Sequence, residues 1–280
     1  MEYSLNNVFS QFKQTLSGWY KDVVTAGLLV YALPALLIAI AHVIYVMQVG
    51  VSMQVSEDIQ SVAELIALLQ VSAPVIFLSI FGFFITLLYQ AGILRSVVSY
   101  TGSLSVSDFT RQAVANVLRW LGFAIVIYLL FTVLLIVLLV PVFIVASMIG
   151  GLGMFFFVLA VSPFVFAAFV FVAIRLVVSS IVYFTERGVI NALKKSWSLT
   201  KGRWWKTFGF VLIMYIAFFA LALVLLPIMF GLMFVSIVAP VISSFFEPVL
   251  TVVLSLFLSP LIIAYLKAVY DVLVASRQAQ

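Results

Sequence analysis

The sequence predicts an all-α membrane protein with six transmembrane helices, and three observations carry this prediction. Hydrophobic residues make up 66% of the chain and charged residues only 8%, whereas about a quarter of the residues in a soluble domain are charged. The apolar residues form six runs, each long enough to cross a hydrocarbon core of ~30 Å. All fourteen Lys and Arg residues fall on one predicted side of these runs.

The six predicted spans alternate with connections of opposite character. They cover residues 23–47, 71–94, 121–148, 154–183, 208–237 and 249–272. Basic residues lie before the first span, in every second connection and at the end of the sixth span: Lys13, Lys21, Arg95, Arg111, Arg119, Arg187, Lys194, Lys195, Lys201, Arg203, Lys206, Lys267 and Arg277. The other three connections contain no Lys or Arg. The positive-inside rule therefore places both termini in the cytoplasm.

An amphipathic segment precedes each outward span, which indicates a hairpin unit repeated three times, over residues 1–100, 101–184 and 185–280. Ser105 and Asp108 resemble a capping box at the start of the second segment, and Gly202 is the predicted C-cap of the third. We expect all three segments to lie along the cytoplasmic surface, anchored by nearby tryptophans. The whole chain, 1–280, is predicted to be one transmembrane domain without a separate soluble domain.

The sequence offers little that could support catalysis. It has one histidine, His42, no cysteine, and no carboxylate near the middle of any predicted span. No nucleophile with a neighbouring base and no metal-ligand spacing can be assembled from these residues. We therefore expect no enzymatic activity, no cofactor and no metal, and the scarcity of buried titratable groups also disfavours proton-coupled transport.

Arg175 lies deeper inside a predicted span than an arginine at a membrane boundary usually sits. It lies eight residues before Tyr183, a helix rise of ~12 Å. One interpretation is a structural arginine that is paired or that stretches toward the cytoplasm, and the other is a contact with an anion or lipid phosphate in an internal cavity. Exposure to hydrocarbon would cost ~2.5 kcal/mol or more, so we expect the side chain to point toward the cytoplasmic interface or the bundle interior.

Residues 194–206, called the basic segment below, carry the densest charge in the chain. They combine five cations with three tryptophans: Lys194, Lys195, Trp197, Lys201, Arg203, Trp204, Trp205 and Lys206. This combination suits the headgroup layer of a bilayer. It indicates either ordinary topology anchoring or specific docking of anionic phospholipid or a membrane-protein partner. The net charge of +5 follows from this topology, and we expect no nucleic-acid partner.

Residues of the same segment resemble a known family. Ala192, Leu193, Ser196, Trp197, Leu199, Thr200, Gly202 and Trp205 follow the pattern A-L-x-x-S-W-x-L-T-x-G-x-x-W, and Tyr270-Asp271 follows the last span. This pattern resembles membrane regions related to the glycerophosphoryl diester phosphodiesterase membrane domain and the YciC-like family. The resemblance implies a bacterial inner-membrane protein of six helices. It does not imply phosphodiesterase activity, which belongs to a separate soluble domain in the fused relatives.

Two functions follow as hypotheses. The first is a non-enzymatic multi-pass inner-membrane protein that acts through anionic phospholipid headgroups on the cytoplasmic face, or through a membrane-protein partner or a second copy of itself, for example in envelope maintenance. The second is a transporter or permeation pathway for an amphiphilic or lipid-like substrate. In that case Arg175 and the proline-containing spans would line a cavity.

Overall fold

The computed structural model describes the backbone of residues 2–50, 62–186, 188–238 and 240–278. Side chains are described for residues 2–45, 73–186, 188–231, 234, 246 and 248–278. The predicted connection around residues 56–58 and the side chains of Glu64, Arg187 and Glu247 lie outside this part of the chain.

The described chain is helical apart from short connections. Its α-helices are α1 (Leu5–Thr15), α2 (Lys21–Gly27), α3 (Leu33–Gly50), α4 (Val62–Ser99), α5 (Val106–Ile149), α6 (Gly151–Leu176), α7 (Ser179–Thr185), α8 (Val189–Thr200), α9 (Trp204–Val238) and α10 (Pro240–Gln278). Six helical stretches are long and apolar enough to cross a membrane. The predicted six-helix, all-α membrane fold is confirmed, and the chain is a polytopic membrane protein.

Two of the three amphipathic lead-ins are continuous with the spans that follow them, and the position of all three along the membrane surface stays a prediction. Two π-helical turns, Leu16–Tyr20 and Leu28–Ala32, join α1 to α2 and α2 to α3, so the first lead-in runs on into its span. The second lead-in is the first part of the 44-residue helix α5. Only α8 is a separate helix.

The predicted Ser105 cap of α5 is present, whereas the C-cap of α8 is Lys201, one residue before the predicted Gly202. The backbone N–H of Asp108 donates to the hydroxyl oxygen of Ser105 at 3.1 Å, and that hydroxyl donates to the Asp108 carboxylate at 2.7 Å. Gly202 follows α8 with φ of +78°, a conformation that a side chain disfavours. Residues 201–203 therefore reverse the chain between α8 and α9.

The fourth predicted span is interrupted, which the sequence pattern does not show. α6 ends at Leu176 and α7 begins at Ser179. At the break the N–H of Val177 turns to the carbonyl of Ile174, and the Ser179 hydroxyl donates to the Leu176 carbonyl at 2.6 Å. The carbonyls at the end of α6 thus lose part of their regular helical pairing.

The chain divides into two compact units, each built from separate stretches of sequence. The second unit comprises residues 15–117 and 215–264. In its core the Tyr31 and Tyr89 rings stack with centroids 4.5 Å apart, and the Tyr89 hydroxyl donates to the Leu256 carbonyl at 2.7 Å. Phe109 is fully buried against Gly92, which has no side chain to obstruct the ring.

The first unit comprises residues 1–14, 118–214 and 265–280, and it contains the basic segment. The Tyr3 hydroxyl lies 2.9 Å from the Thr207 hydroxyl. At the other end of the chain, the Arg277 guanidinium donates to the carbonyls of Ser198 and Lys201 at 2.6 and 2.8 Å. Both termini therefore lie at the end of this unit that carries the basic segment, although the membrane side of that end stays a prediction.

Candidate functional site

The site begins with the docking of α8 onto the interrupted span. Ala192, Ser196, Leu199 and Thr200 form the buried face of α8. The Ser196 hydroxyl donates to the main-chain carbonyl of Arg175 at 2.8 Å, and the Thr200 hydroxyl lies 3.4 Å from the same oxygen. A carbonyl at the helix break thus regains a hydrogen-bond partner. This bond gives the Ser and Thr of the segment a structural role.

The Arg175 side chain lies between aromatic rings. Its guanidinium carbon is 5.1 Å from the centroid of the Phe171 ring and 5.3 Å from that of Trp197, within cation–π range. Its Nε and Nη1 atoms are buried and find no hydrogen-bond partner among the residues that the structure describes. The charge is therefore held beside π faces while two of its N–H directions stay unpaired by protein groups.

A cavity of about 580 Å³ lies beside this guanidinium. Arg175 lines it together with the connection and first turn of α9, namely Gly202, Arg203, Trp204, Trp205 and Lys206. The Trp204 indole N–H donates to the Phe171 carbonyl at 3.2 Å, which fixes one aromatic wall. Three cations thus face one space at the positive end of the α9 dipole.

The remaining cations have different partners. Arg203 donates to the hydroxyl and carbonyl of Ser276 at 2.6 and 3.0 Å. Lys195 forms an ion pair with Glu186, and Asp271 pairs with Lys267. Within the described residues, Lys195 is the one cation of the basic segment with a carboxylate within ion-pair distance. Positive charge is therefore in excess at this end of the unit.

The structure brings together only part of the site that the sequence predicts. Trp197, Arg203, Trp204, Trp205 and Lys206 surround or line the space next to Arg175. Lys194 and Lys201 are exposed outside it. The Arg175 side chain contacts Trp197 of the basic segment, and its direction relative to the membrane stays a prediction.

Sequence reasoning missed the groups that hold this site in place. Phe171 lies four residues before Arg175, so helical spacing could have identified it. Tyr3, Ser276 and Arg277 are remote in sequence, and no local pattern pointed to their contacts with the basic segment.

Two further cavities are lined by fewer polar and charged side chains. One of about 320 Å³ lies between α5 and α6 and has a largely apolar lining that includes Leu139, Phe143, Phe166 and one hydroxyl, Ser162. In the second unit, His42 lines a cavity of about 410 Å³ with Ser79 and Pro248. No group of three or more His, Cys, Asp or Glu residues able to hold a metal occurs in the described part of the chain.

No protein-family model, curated protein or solved structure shows significant similarity to this chain. The resemblance to the YciC-like and phosphodiesterase membrane-domain families therefore stays a prediction from the residues of the basic segment.

Proposed function

We propose that this polytopic membrane protein binds anionic phospholipid headgroups at its cytoplasmic face and acts through this contact, without catalysing a reaction. The observation that carries the proposal is the excess of positive charge in the basic segment. Lys194, Lys201, Arg203 and Lys206 have no carboxylate within ion-pair distance among the described residues. Headgroup phosphates would supply the missing counter-charge.

The aromatic residues of the segment support the same partner. The Trp205 side chain is 77% exposed and that of Trp197 is 41% exposed, both next to cations. Exposed tryptophan suits the headgroup layer, where its ring meets apolar groups and its N–H meets water or phosphate. Each nearby cation adds ~1 kcal/mol of attraction to an anionic surface.

The positive-inside pattern and the family resemblance extend the proposal to a bacterial inner membrane, with both termini cytoplasmic. Maintenance of the envelope is the physiological class that we propose for such a contact. The alternative occupant of the same surface is a membrane-protein partner or a second copy of the chain. Enrichment of anionic phospholipid by the isolated protein distinguishes lipid binding from either of these.

The proposal is tested by measuring which phospholipids are extracted together with the protein from mixed bilayers. In the double variant Lys194→Gln/Lys201→Gln, two exposed cations are removed and the cavity beside Arg175 is left intact. Because the attraction is ~1 kcal/mol per cation, the enrichment of phosphatidylglycerol over phosphatidylcholine in extracted nanodiscs should fall severalfold. Raising the salt concentration should have the same effect on the unmodified protein.

The matched control is Lys13→Gln/Arg111→Gln, which removes two exposed cations from outside the basic segment. It should keep most of the enrichment. An equal loss in both double variants would show that net charge alone attracts lipid. Wild-type protein without phosphatidylglycerol enrichment would overturn the proposal.

Transport of a lipid-like substrate is the second candidate, and the apolar cavity between α5 and α6 favours it. That cavity belongs to the same unit as Arg175, and its lining would accept an acyl chain. Movement of fluorescent phospholipid between leaflets of proteoliposomes tests it. A rate equal to that of protein-free vesicles would exclude this candidate.

A further inference from the structure

We infer that the cavity beside Arg175 binds one phosphate group of an anionic phospholipid. Arg175, Lys206 and the first backbone N–H groups of α9 would be its contacts. This inference rests on the proposed attraction to anionic phospholipid, and it adds a single stoichiometric site to a surface that would otherwise attract many lipids weakly.

The first argument is the state of the Arg175 guanidinium. Two of its nitrogens, Nε and Nη1, are buried and unpaired among the described residues. A buried cation without hydrogen-bond acceptors is costly. The Phe171 and Trp197 rings lie within cation–π distance of the guanidinium, but they supply no hydrogen-bond acceptor for these two nitrogens. A phosphate with several acceptor oxygens matches the planar fork of a guanidinium.

The second argument is the start of α9. The first intrahelical bond here joins the N–H of Thr207 to the carbonyl of Arg203. The N–H groups of residues 204–206 therefore precede the regular pairing of the helix and are available to an anion. Trp204, Trp205 and Lys206 all line the cavity. Arg175 and the first turn of α9 thus line the same space from two different elements.

The third argument is the charge of the surroundings. Arg203 also lines the cavity, but its guanidinium donates to Ser276, so its charge contributes while its hydrogen bonds are committed elsewhere. Lys206 is exposed, and among the described residues its ammonium reaches only the Tyr3 carbonyl, at 3.5 Å. No described carboxylate lines the cavity. The site therefore favours a group with at least one full negative charge.

Size and wall chemistry favour a lipid over free phosphate. A volume of about 580 Å³ exceeds what an inorganic phosphate needs, and lies in the range of pockets that take small organic ligands. Two indole rings form part of the wall, and they suit the glycerol and upper acyl carbons of a lipid. The shared chemistry is the phosphate, so the experiment must separate the two sources.

Native mass spectrometry of the delipidated protein in detergent tests this site. The probes are dioleoyl phosphatidylglycerol, dioleoylglycerol as its phosphate-free counterpart, and inorganic phosphate as a competitor. Wild-type protein should retain one phosphatidylglycerol and should not retain dioleoylglycerol. Arg175→Gln and Lys206→Gln should each weaken retention about tenfold, since each removes a charge-assisted hydrogen bond. Arg175→Lys should keep part of it, because the point charge stays and the fork is lost.

The outcomes separate this site from the proposed function. Lys194→Gln/Lys201→Gln should keep the single adduct while it loses enrichment in the bilayer. Enrichment by the wild type together with equal adducts in wild type, Arg175→Gln and Lys206→Gln would overturn the cavity site alone. Displacement of the lipid by millimolar inorganic phosphate would overturn the lipid assignment. Should Arg175→Gln fail to fold, Lys206→Gln decides, because that exposed side chain lies outside the packed core.

Discussion

The Ser196 hydroxyl donates a 2.8 Å hydrogen bond to the main-chain carbonyl of Arg175. Ser196 is fully buried, and the carbonyl that it pairs lies one residue before the end of α6. A residue of the separate amphipathic helix therefore completes the broken hydrogen-bond ladder of the fourth span. The same contact holds Trp197 where its ring can lie against the Arg175 guanidinium.

Ser196→Ala should destabilise the protein by about 1–3 kcal/mol, since it leaves a buried carbonyl without its main donor. The Thr200 hydroxyl, at 3.4 Å, is too distant to replace it fully. Thermal unfolding in detergent measures the change as a lower melting temperature. Ser198→Ala is the matched control, because the Ser198 hydroxyl is exposed and bonds only within its own helix. Equal melting temperatures for the two variants would contradict this role of Ser196.

Gly92→Ala should destabilise the second unit. A Cβ at this position would lie 2.5 Å from the Cζ atom of Phe109, a fully buried ring, and overpacking of this kind costs about 1–3 kcal/mol. Gly122→Ala is the contrasting variant, because nothing lies within 4 Å of its Cβ and alanine favours a helix by about 0.5–1 kcal/mol. The two melting temperatures should move in opposite directions. A stabilised Gly92→Ala would show that Phe109 moves aside without cost.

Single-cysteine labelling should place the N-terminal lead-in, the second lead-in and the basic segment in the cytoplasm, as the charge pattern predicts. The chain has no native cysteine, so Gln14→Cys, Arg111→Cys and Lys194→Cys report one position each. A membrane-impermeant maleimide should label them only in inverted vesicles. Leu152→Cys, at the exposed turn between α5 and α6, should react in intact spheroplasts. Labelling of Lys194→Cys from outside would show that the topology is the reverse of the predicted one.

Apolar run length and charge were enough to predict the six spans. The hydrocarbon thickness sets a minimum length that no other element satisfies, so composition alone identifies them. The Ser105 cap was also predictable, and the end of α8 was predictable to within one residue, because caps are decided by residues within three or four positions. These parts of the fold depend on local sequence.

The rest depends on contacts between distant residues. No proline or glycine lies between residues 164 and 187, so no local signal marks the break after Leu176. The carbonyl at the break is paired by Ser196, some twenty residues later. Local reasoning identified Arg175 as unusual but could not choose between a structural and a ligand-binding role. The aromatic neighbours and unpaired nitrogens that bear on the choice are visible only once α8 is docked.

The long-range hydrogen bonds of the basic segment also set the order in which its contacts can form during translation. Tyr3 and Thr207 are 204 residues apart in the sequence, and Arg203 and Ser276 are 73 residues apart. The carbonyls of Ser198 and Lys201 can accept hydrogen bonds from Arg277 only after α10, the helix of the sixth span, has been synthesised. A nascent chain that halts after α9, the helix of the fifth span, would therefore lack the hydrogen bonds that Ser276 and Arg277 make with the basic segment.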